Sequence, residues 1–101
     1  MKFCSITRSK DELSVVCLGK DVPGNILAEC GWRALKVKGA LDFSLTGILA
    51  SITNPLARAK IPVFVISTYD TDYIFVRENH LSQAISVLIK EGHSIIFQVQ
   101  P

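Results

Sequence analysis

The alternation of apolar and polar positions divides the chain into short strands and longer helical segments. Near the N-terminus, residues 2–7 and 13–18 are strand-like and flank the polar stretch 8–12, a pattern that predicts a β-hairpin. The next apolar segment, 26–30, lies between a proline-containing turn and a glycine, which favours a short helix.

A strand and a longer amphipathic helix are predicted next. Residues 32–38 alternate between two faces, as a strand does. Residues 44–59 are expected to be helical, with Asp42 or Ser44 accepting the unpaired N–H groups at the helix start. The apolar positions of this helix recur every three or four residues and form one stripe. They are Leu45, Ile48, Leu49, Ile52 and Leu56.

Two residues of this helix are unusual for a helix interior. Pro55 lacks a backbone N–H and is expected to kink or restart the helix near Asn54. Gly47 lowers helix propensity by about 1 kcal/mol relative to alanine, and predicts close approach by another backbone or a ligand.

The remaining segments predict two apolar strands, a helix and a final strand. The strands are 62–67 and 73–76, separated by a polar turn. Residues 80–91 are predicted to be helical, with Asn79 as the cap, and 94–99 form the last strand.

From residue 32 onward the predicted order is therefore βαββαβ, which is typical of the ferredoxin-like α+β fold with both helices on one face of an antiparallel sheet. The chain is expected to comprise residues 1–31, with the hairpin and short helix, and a domain at 32–101.

Composition favours a small protein that associates with itself. Of the 101 residues, 49% are hydrophobic, so some apolar surface is expected to meet a partner. The net charge of +2 is small and its basic residues are scattered, which argues against a nucleic-acid partner. The three cysteines, Cys4, Cys17 and Cys30, are expected to be reduced thiols in a cytoplasmic protein.

The sequence contains no recognisable catalytic, metal-binding or cofactor motif. The histidines His80 and His93 are far apart and are expected at helix ends. We therefore expect no enzymatic activity, cofactor or metal site. A signal peptide and an apolar stretch of membrane-spanning length are also absent from the sequence, so no membrane partner is expected.

Two polar loops are the candidate binding regions. The first, 39–44, leads into the long helix, whose N-terminal N–H groups attract a carboxylate. The second, 67–72, carries aspartates able to hold an ammonium or guanidinium group. Together they match the two charged ends of an amino acid. The alternative is that Asp42 is only a helix cap, and that Asp70 and Asp72 are ordinary turn residues.

The runs GALDFSLTGILASI at 39–52 and ISTYDTDYIFV at 66–76 resemble the ACT domain family, the type shared by small bacterial and archaeal ACT proteins and the CASTOR arginine sensors. The resemblance implies amino-acid binding at an interface between domains, and regulation of linked or partner proteins, with a connection to aspartate kinases. The binding residues it implies are Gly39, Leu41, Asp42, Phe43 and Ser44, facing Ser67, Thr68, Asp70, Thr71 and Asp72.

The chain departs from this family in its first part. ACT proteins of this type usually carry two ACT-like halves, whereas residues 1–31 resemble a half shortened to its hairpin and a remnant helix. A shortened half exposes a strand edge, which proteins rarely leave open, so a homodimer is expected. Two interpretations remain: a regulatory module that binds an amino acid, or a dimerisation module that keeps the ACT fold and binds no ligand.

Overall fold

The computed structural model describes residues 3–38 and 47–96, which fall into two compact units with their boundary between Gly31 and Trp32. In the first unit, β1 (Cys4–Arg8) pairs antiparallel with β2 (Leu13–Cys17), which confirms the predicted hairpin.

The short helix of the first unit lies earlier in the chain than predicted. It is a single 3-10 turn at Gly19–Asp21, and residues 26–30 have no helical structure, so the helix predicted there is wrong. A helix this short needs packing to offset the cost of nucleation. Ile26 and Leu27 provide little of it, since they are 56% and 101% exposed.

The second unit is a three-stranded antiparallel sheet with two helices. Its elements are β3 (Trp32–Lys36), α1 (Ile48–Arg58), β4 (Val63–Ser67), β5 (Asp72–Arg77) and α2 (Leu81–Lys90). The strand order is β3-β5-β4, so β5 is central. The chain crosses from β3 through α1 to β4, and β5 then pairs between these two strands. This is the arrangement expected of a ferredoxin-like fold, so the predicted fold class is confirmed.

The final strand predicted at 94–99 is not seen in the described residues. Residues 93–96 have no regular secondary structure, and 97–101 lie outside the described part of the chain.

The core lies between the two helices and one face of the sheet. Partly buried side chains of β3 and β4, Leu35, Val63 and Val65, pack against it, as do Leu49 and Ile52 of the predicted helical stripe. The buried residues at its centre are Leu56, Ile61, Ile74, Val76, Ala84 and Leu88. Both helices therefore cover the same face, toward which alternate residues of each strand point.

Aromatic side chains occupy the opposite face of the sheet. The ring of Phe64 stacks on Phe75, with centroids 4.6 Å apart, and meets the edge of Trp32 at 4.7 Å. The guanidinium of Arg77 lies 4.6 Å from the centroid of the Trp32 ring, a cation–π contact.

Neither helix begins with the predicted cap. Gly47 is the N-cap residue of α1, with a φ of 80°, so the prediction of Asp42 or Ser44 in that position is wrong. Among the described residues, a Cβ at Gly47 would meet no atom within 4 Å, so no described backbone approaches it closely, and the left-handed φ is a sufficient reason for glycine. Before α2, Asn79 lies inside a 3-10 turn and His80 is the N-cap residue, without a side-chain bond.

Helix α1 runs through Pro55 without the predicted restart near Asn54. Proline has no N–H, so the carbonyl of Ser51, four residues earlier, loses its helical donor. The ring Nε2 of His93 lies 2.9 Å from that carbonyl oxygen. Because a carbonyl only accepts hydrogen bonds, Nε2 must carry the hydrogen. His93, which follows α2, therefore compensates for the proline in α1.

Within the described ranges, no helix has the length and apolar character needed to cross a bilayer. In the same residues, no three His, Cys, Asp or Glu side chains are grouped in a way that would hold a metal ion.

The first prediction concerns the core. Replacing Leu56, which is fully buried, by alanine is expected to lower the free energy of unfolding by about 2–5 kcal/mol. Ile89→Ala, on the exposed side of α2, is the control and should change it by about 0.5 kcal/mol or less. Urea denaturation of both variants measures the difference, and equal losses would contradict the assigned core.

The second prediction concerns the bond between His93 and Ser51. His93→Ala is expected to lower the free energy of unfolding by about 1 kcal/mol, since it leaves the Ser51 carbonyl without a protein donor. In a Pro55→Ala background the backbone N–H of residue 55 can donate to the Ser51 carbonyl. His93→Ala should then lower the free energy of unfolding by clearly less. A double-mutant cycle followed by urea denaturation measures this coupling, and zero coupling would show that the proline is not the cause.

Candidate functional site

The second predicted loop is a tight hairpin between the central strand and an edge strand. β4 ends at Ser67 and β5 starts at Asp72, and these two residues pair across the ladder. The backbone N–H of Thr68 donates to the carbonyl of Thr71 at 2.8 Å, which leaves a two-residue turn at its tip.

Side-chain hydrogen bonds hold this turn in shape. Two-residue hairpin turns favour positive φ angles, but neither Tyr69 nor Asp70 has one. The hydroxyl of Thr68 instead donates to the carbonyl of Thr71 at 3.1 Å and accepts from the Thr71 N–H at 3.3 Å. The threonine pair thus stabilises a turn that the tip residues alone would not favour.

The hairpin is also attached to the end of β3. Thr71 is 4% exposed, and its hydroxyl donates to the carbonyl of Val37 at 2.7 Å. The N–H of Val37 donates in turn to the carbonyl of Asp72 at 3.1 Å. The chain therefore passes directly beside this hairpin just before residue 39, the start of the first predicted loop.

The polar residues of the hairpin fall into two groups. Thr68 and Thr71 use their hydroxyls within the fold, and the hydroxyl of Ser67 donates to the carboxylate of Asp72. Asp70 and Tyr69 lie at the tip instead, where Asp70 is exposed and Tyr69 is 86% exposed. Ser67 and Thr68 are exposed as well, but their hydroxyls are hydrogen-bonded within the hairpin, so the tip residues are the better candidates for contact with a ligand.

The first predicted loop cannot be placed against this hairpin. Its five candidates, Gly39, Leu41, Asp42, Phe43 and Ser44, all lie outside the described residues. The structure resumes at Gly47 and the start of α1, where the Ser51 N–H donates to the Gly47 carbonyl at 2.9 Å as the first helical bond. How the two loops face each other stays a prediction.

Two features of the site were not predicted. Tyr69 is not among the predicted binding residues, although its place at the centre of a short polar turn is a signal of exposure. The anchoring role of Val37 was also missed. It depends on the pairing of β3 with β5, which spacing along the sequence does not define.

Comparison with family models places most of the chain in one family. Residues 27–90 match the ACT domain, and residues 1–25 match a separate model that describes an N-terminal domain. The resemblance inferred from the sequence is thereby confirmed.

The relatives that match this chain include arginine sensors. The human Cytosolic arginine sensor for mTORC1 subunit 1 is 32% identical over 101 residues, which cover 89% of this chain and 31% of the sensor. The human protein CASTOR3P is 31% identical over 103 residues, which cover 89% of this chain and 63% of that protein. The chain therefore spans about a third of the length of the arginine sensors it matches.

Two solved structures have a similar fold. Protein Atu0741 from Agobacterium tumefaciens superposes with a TM-score of 0.90 at 40% identity, over 97% of this chain and 73% of that protein. Protein VC0802 from Vibrio cholerae superposes with a TM-score of 0.69 at 21% identity, over 88% of this chain and 69% of that protein, and supports the fold alone.

The third prediction tests the attachment of the hairpin. Thr71→Val is expected to lower the free energy of unfolding by about 1–3 kcal/mol, because it removes the buried hydroxyl that donates to the Val37 carbonyl. The control, Thr7→Val, alters an exposed threonine of β1 and should have little effect. Thermal and urea denaturation measure both, and a Thr71 variant as stable as the Thr7 variant would contradict the anchoring role.

Proposed function

The chain belongs to the ACT domain family, and on that premise we propose that it is a regulatory protein that binds a free amino acid at the β4–β5 hairpin. The binding surface comprises the exposed tip of the hairpin, the predicted loop at 39–44 and the N-terminus of α1. The proposed site lies at an interface between domains or subunits.

One observation carries this proposal. The hairpin is fixed to β3 through Thr71 and Val37, while its Asp70 carboxylate and Tyr69 ring remain accessible. Holding a loop rigidly reduces the ordering cost of binding, since less conformational freedom is lost when a ligand docks.

Arginine is the first ligand to test. The matched relatives are named as arginine sensors, and the hairpin carries groups suited to a guanidinium. The carboxylate of Asp70 can accept charge-assisted hydrogen bonds from it, and the ring of Tyr69 offers a face on which its plane can stack. The α-carboxylate of the ligand would then bind the unpaired N–H groups at the start of α1.

The same surface features support self-association. In the described sheet, β4 pairs with β5 on one side only, so its other edge can accept a strand from a second copy. The hairpin of the first unit exposes Ile6, Leu13 and Val15 by 53–66%, an apolar area that a partner would cover. A homodimer is therefore part of the proposal, with a cytoplasmic location and a regulatory rather than catalytic role.

A dimerisation module without a ligand is the second candidate. It is favoured by the hydrogen bonds that the hydroxyls of Thr68, Thr71 and Ser67 make within the fold, which leave these three predicted binding groups less available to a ligand. Under this alternative, Asp70 is only a turn residue.

The fourth prediction separates the two candidates. Arginine at about 100 times its dissociation constant should stabilise the protein by about 2.7 kcal/mol, which raises the melting temperature by several degrees in a chain of this size. Asp70→Asn should weaken arginine binding about tenfold or more, because a neutral amide replaces the charged acceptor. A thermal-shift series against the twenty amino acids, with light scattering alongside, measures both effects.

The matched control is Asp11→Asn. Asp11 occupies the second position of the β1–β2 turn, as Asp70 does in the β4–β5 turn, and is also exposed. The Asp11→Asn variant should respond to arginine as the unaltered protein does. A stable dimer that responds to no amino acid would favour the dimerisation module, and equal losses in the two variants would place the ligand elsewhere.

A further inference from the structure

Two of the three cysteines face each other across the N-terminal hairpin. Cys4 is the first residue of β1 and Cys17 the last of β2, and they are direct partners in the antiparallel register. Directly opposed residues project from the same face of a sheet, so the two thiols lie side by side. Both are reduced, with Cys4 exposed and Cys17 partly buried.

The hydrogen-bonding pattern defines what kind of pair this is. The N–H of Ser9 donates to the carbonyl of Glu12 at 2.9 Å, which makes Ser9 and Glu12 a hydrogen-bonded pair that closes the turn. Hydrogen-bonded and non-hydrogen-bonded pairs alternate along an antiparallel ladder. Counting back from the turn through the register makes Cys4–Cys17 a non-hydrogen-bonded pair.

That pair type matches the geometry of a disulfide. Opposed Cα atoms in a non-hydrogen-bonded pair are about 4.5 Å apart, within the range of about 4.4–6.8 Å that a disulfide spans. Opposed Cβ atoms are about 4.5–5.5 Å apart, and those of a disulfide are about 3.5–4.5 Å apart. The two ranges meet at about 4.5 Å, so only a small approach of the strands is needed. We infer that Cys4 and Cys17 form a reversible disulfide when the protein meets a hydroperoxide.

Of the pair, Cys4 is the exposed thiol and the one that an oxidant reaches first. Its thiolate sulfur attacks the O–O bond of the hydroperoxide, which breaks to give a sulfenic acid on Cys4 and an alcohol or water that takes up a proton. The Cys17 sulfur then attacks the Cys4 sulfur and the S–O bond breaks. The proton of Cys17 leaves with the hydroxyl as water, so two thiols and one hydroperoxide give one disulfide, one alcohol or water, and one further water.

The bond would close the end of the hairpin opposite its turn. A two-stranded hairpin is only marginally stable by itself, and a covalent link there fixes the pairing of β1 with β2. The same hairpin face carries the exposed Ile6 and Val15, so oxidation would hold this apolar surface in one arrangement.

Peptide mapping of the intact chain tests this inference. Trypsin cleaves after Arg8, Lys10 and Lys20, which places Cys4, Cys17 and Cys30 in three different peptides. After treatment of dilute protein with hydrogen peroxide, a Cys4–Cys17 linked peptide is expected in non-reducing mass spectrometry, and dithiothreitol should remove it. Cys30→Ser should leave the linked peptide unchanged.

A positional control isolates the geometry. Val16→Cys combined with Cys17→Ser keeps the number of thiols but moves one to the other face of the hairpin, so the linked peptide should be lost. In Cys17→Ser alone, a sulfenic acid that dimedone traps should accumulate on Cys4. Links mainly between two chains or to Cys30, or a linked peptide of equal yield in the positional control, would overturn the inference.

Discussion

The pairing of β5 with strands on both sides is the constraint on which the second unit depends. β5 is the last of the three strands in the chain yet occupies the centre of the sheet, between β3 and β4. Its Ile74 and Val76 are almost fully buried beneath the helices, and its first residues connect the hairpin turn to Val37. The same strand therefore joins the hydrophobic core to the candidate binding loop, and a change in its register would move both.

This arrangement divides the polar residues of the loop into two roles. Thr71 is buried and Thr68 is exposed, and the hydroxyls of both form hydrogen bonds with backbone groups of the fold. Asp70 and Tyr69 are left at the tip, where solvent reaches them. Rigidity and accessibility come from neighbouring residues in one short segment, which is a suitable basis for a binding loop in an ACT domain.

The sequence predicted the elements of the fold better than their ends or attachments. The apolar stripe of α1 and the apolar strands around Val65 and Phe75 carried enough periodicity to predict the ferredoxin-like order. Helix starts were predicted wrongly, because Gly47 supplies a left-handed backbone where a side-chain cap was expected. The helix predicted at 26–30 is wrong for another reason, since local signals cannot reveal that Leu27 remains fully exposed.

The candidate site could be predicted only as a set of loops. Polarity identified the segment 67–72, but it could not separate Thr71, whose hydroxyl is hydrogen-bonded within the fold, from Asp70, which is exposed. That distinction depends on a hydrogen bond between residues 34 positions apart. The most direct test of the central claim is a nuclear magnetic resonance titration of the isotopically labelled protein with arginine, following every backbone amide. The account predicts saturable shifts concentrated at 67–72 and around Val37, and no shifts, or shifts confined to the N-terminal unit, would contradict it.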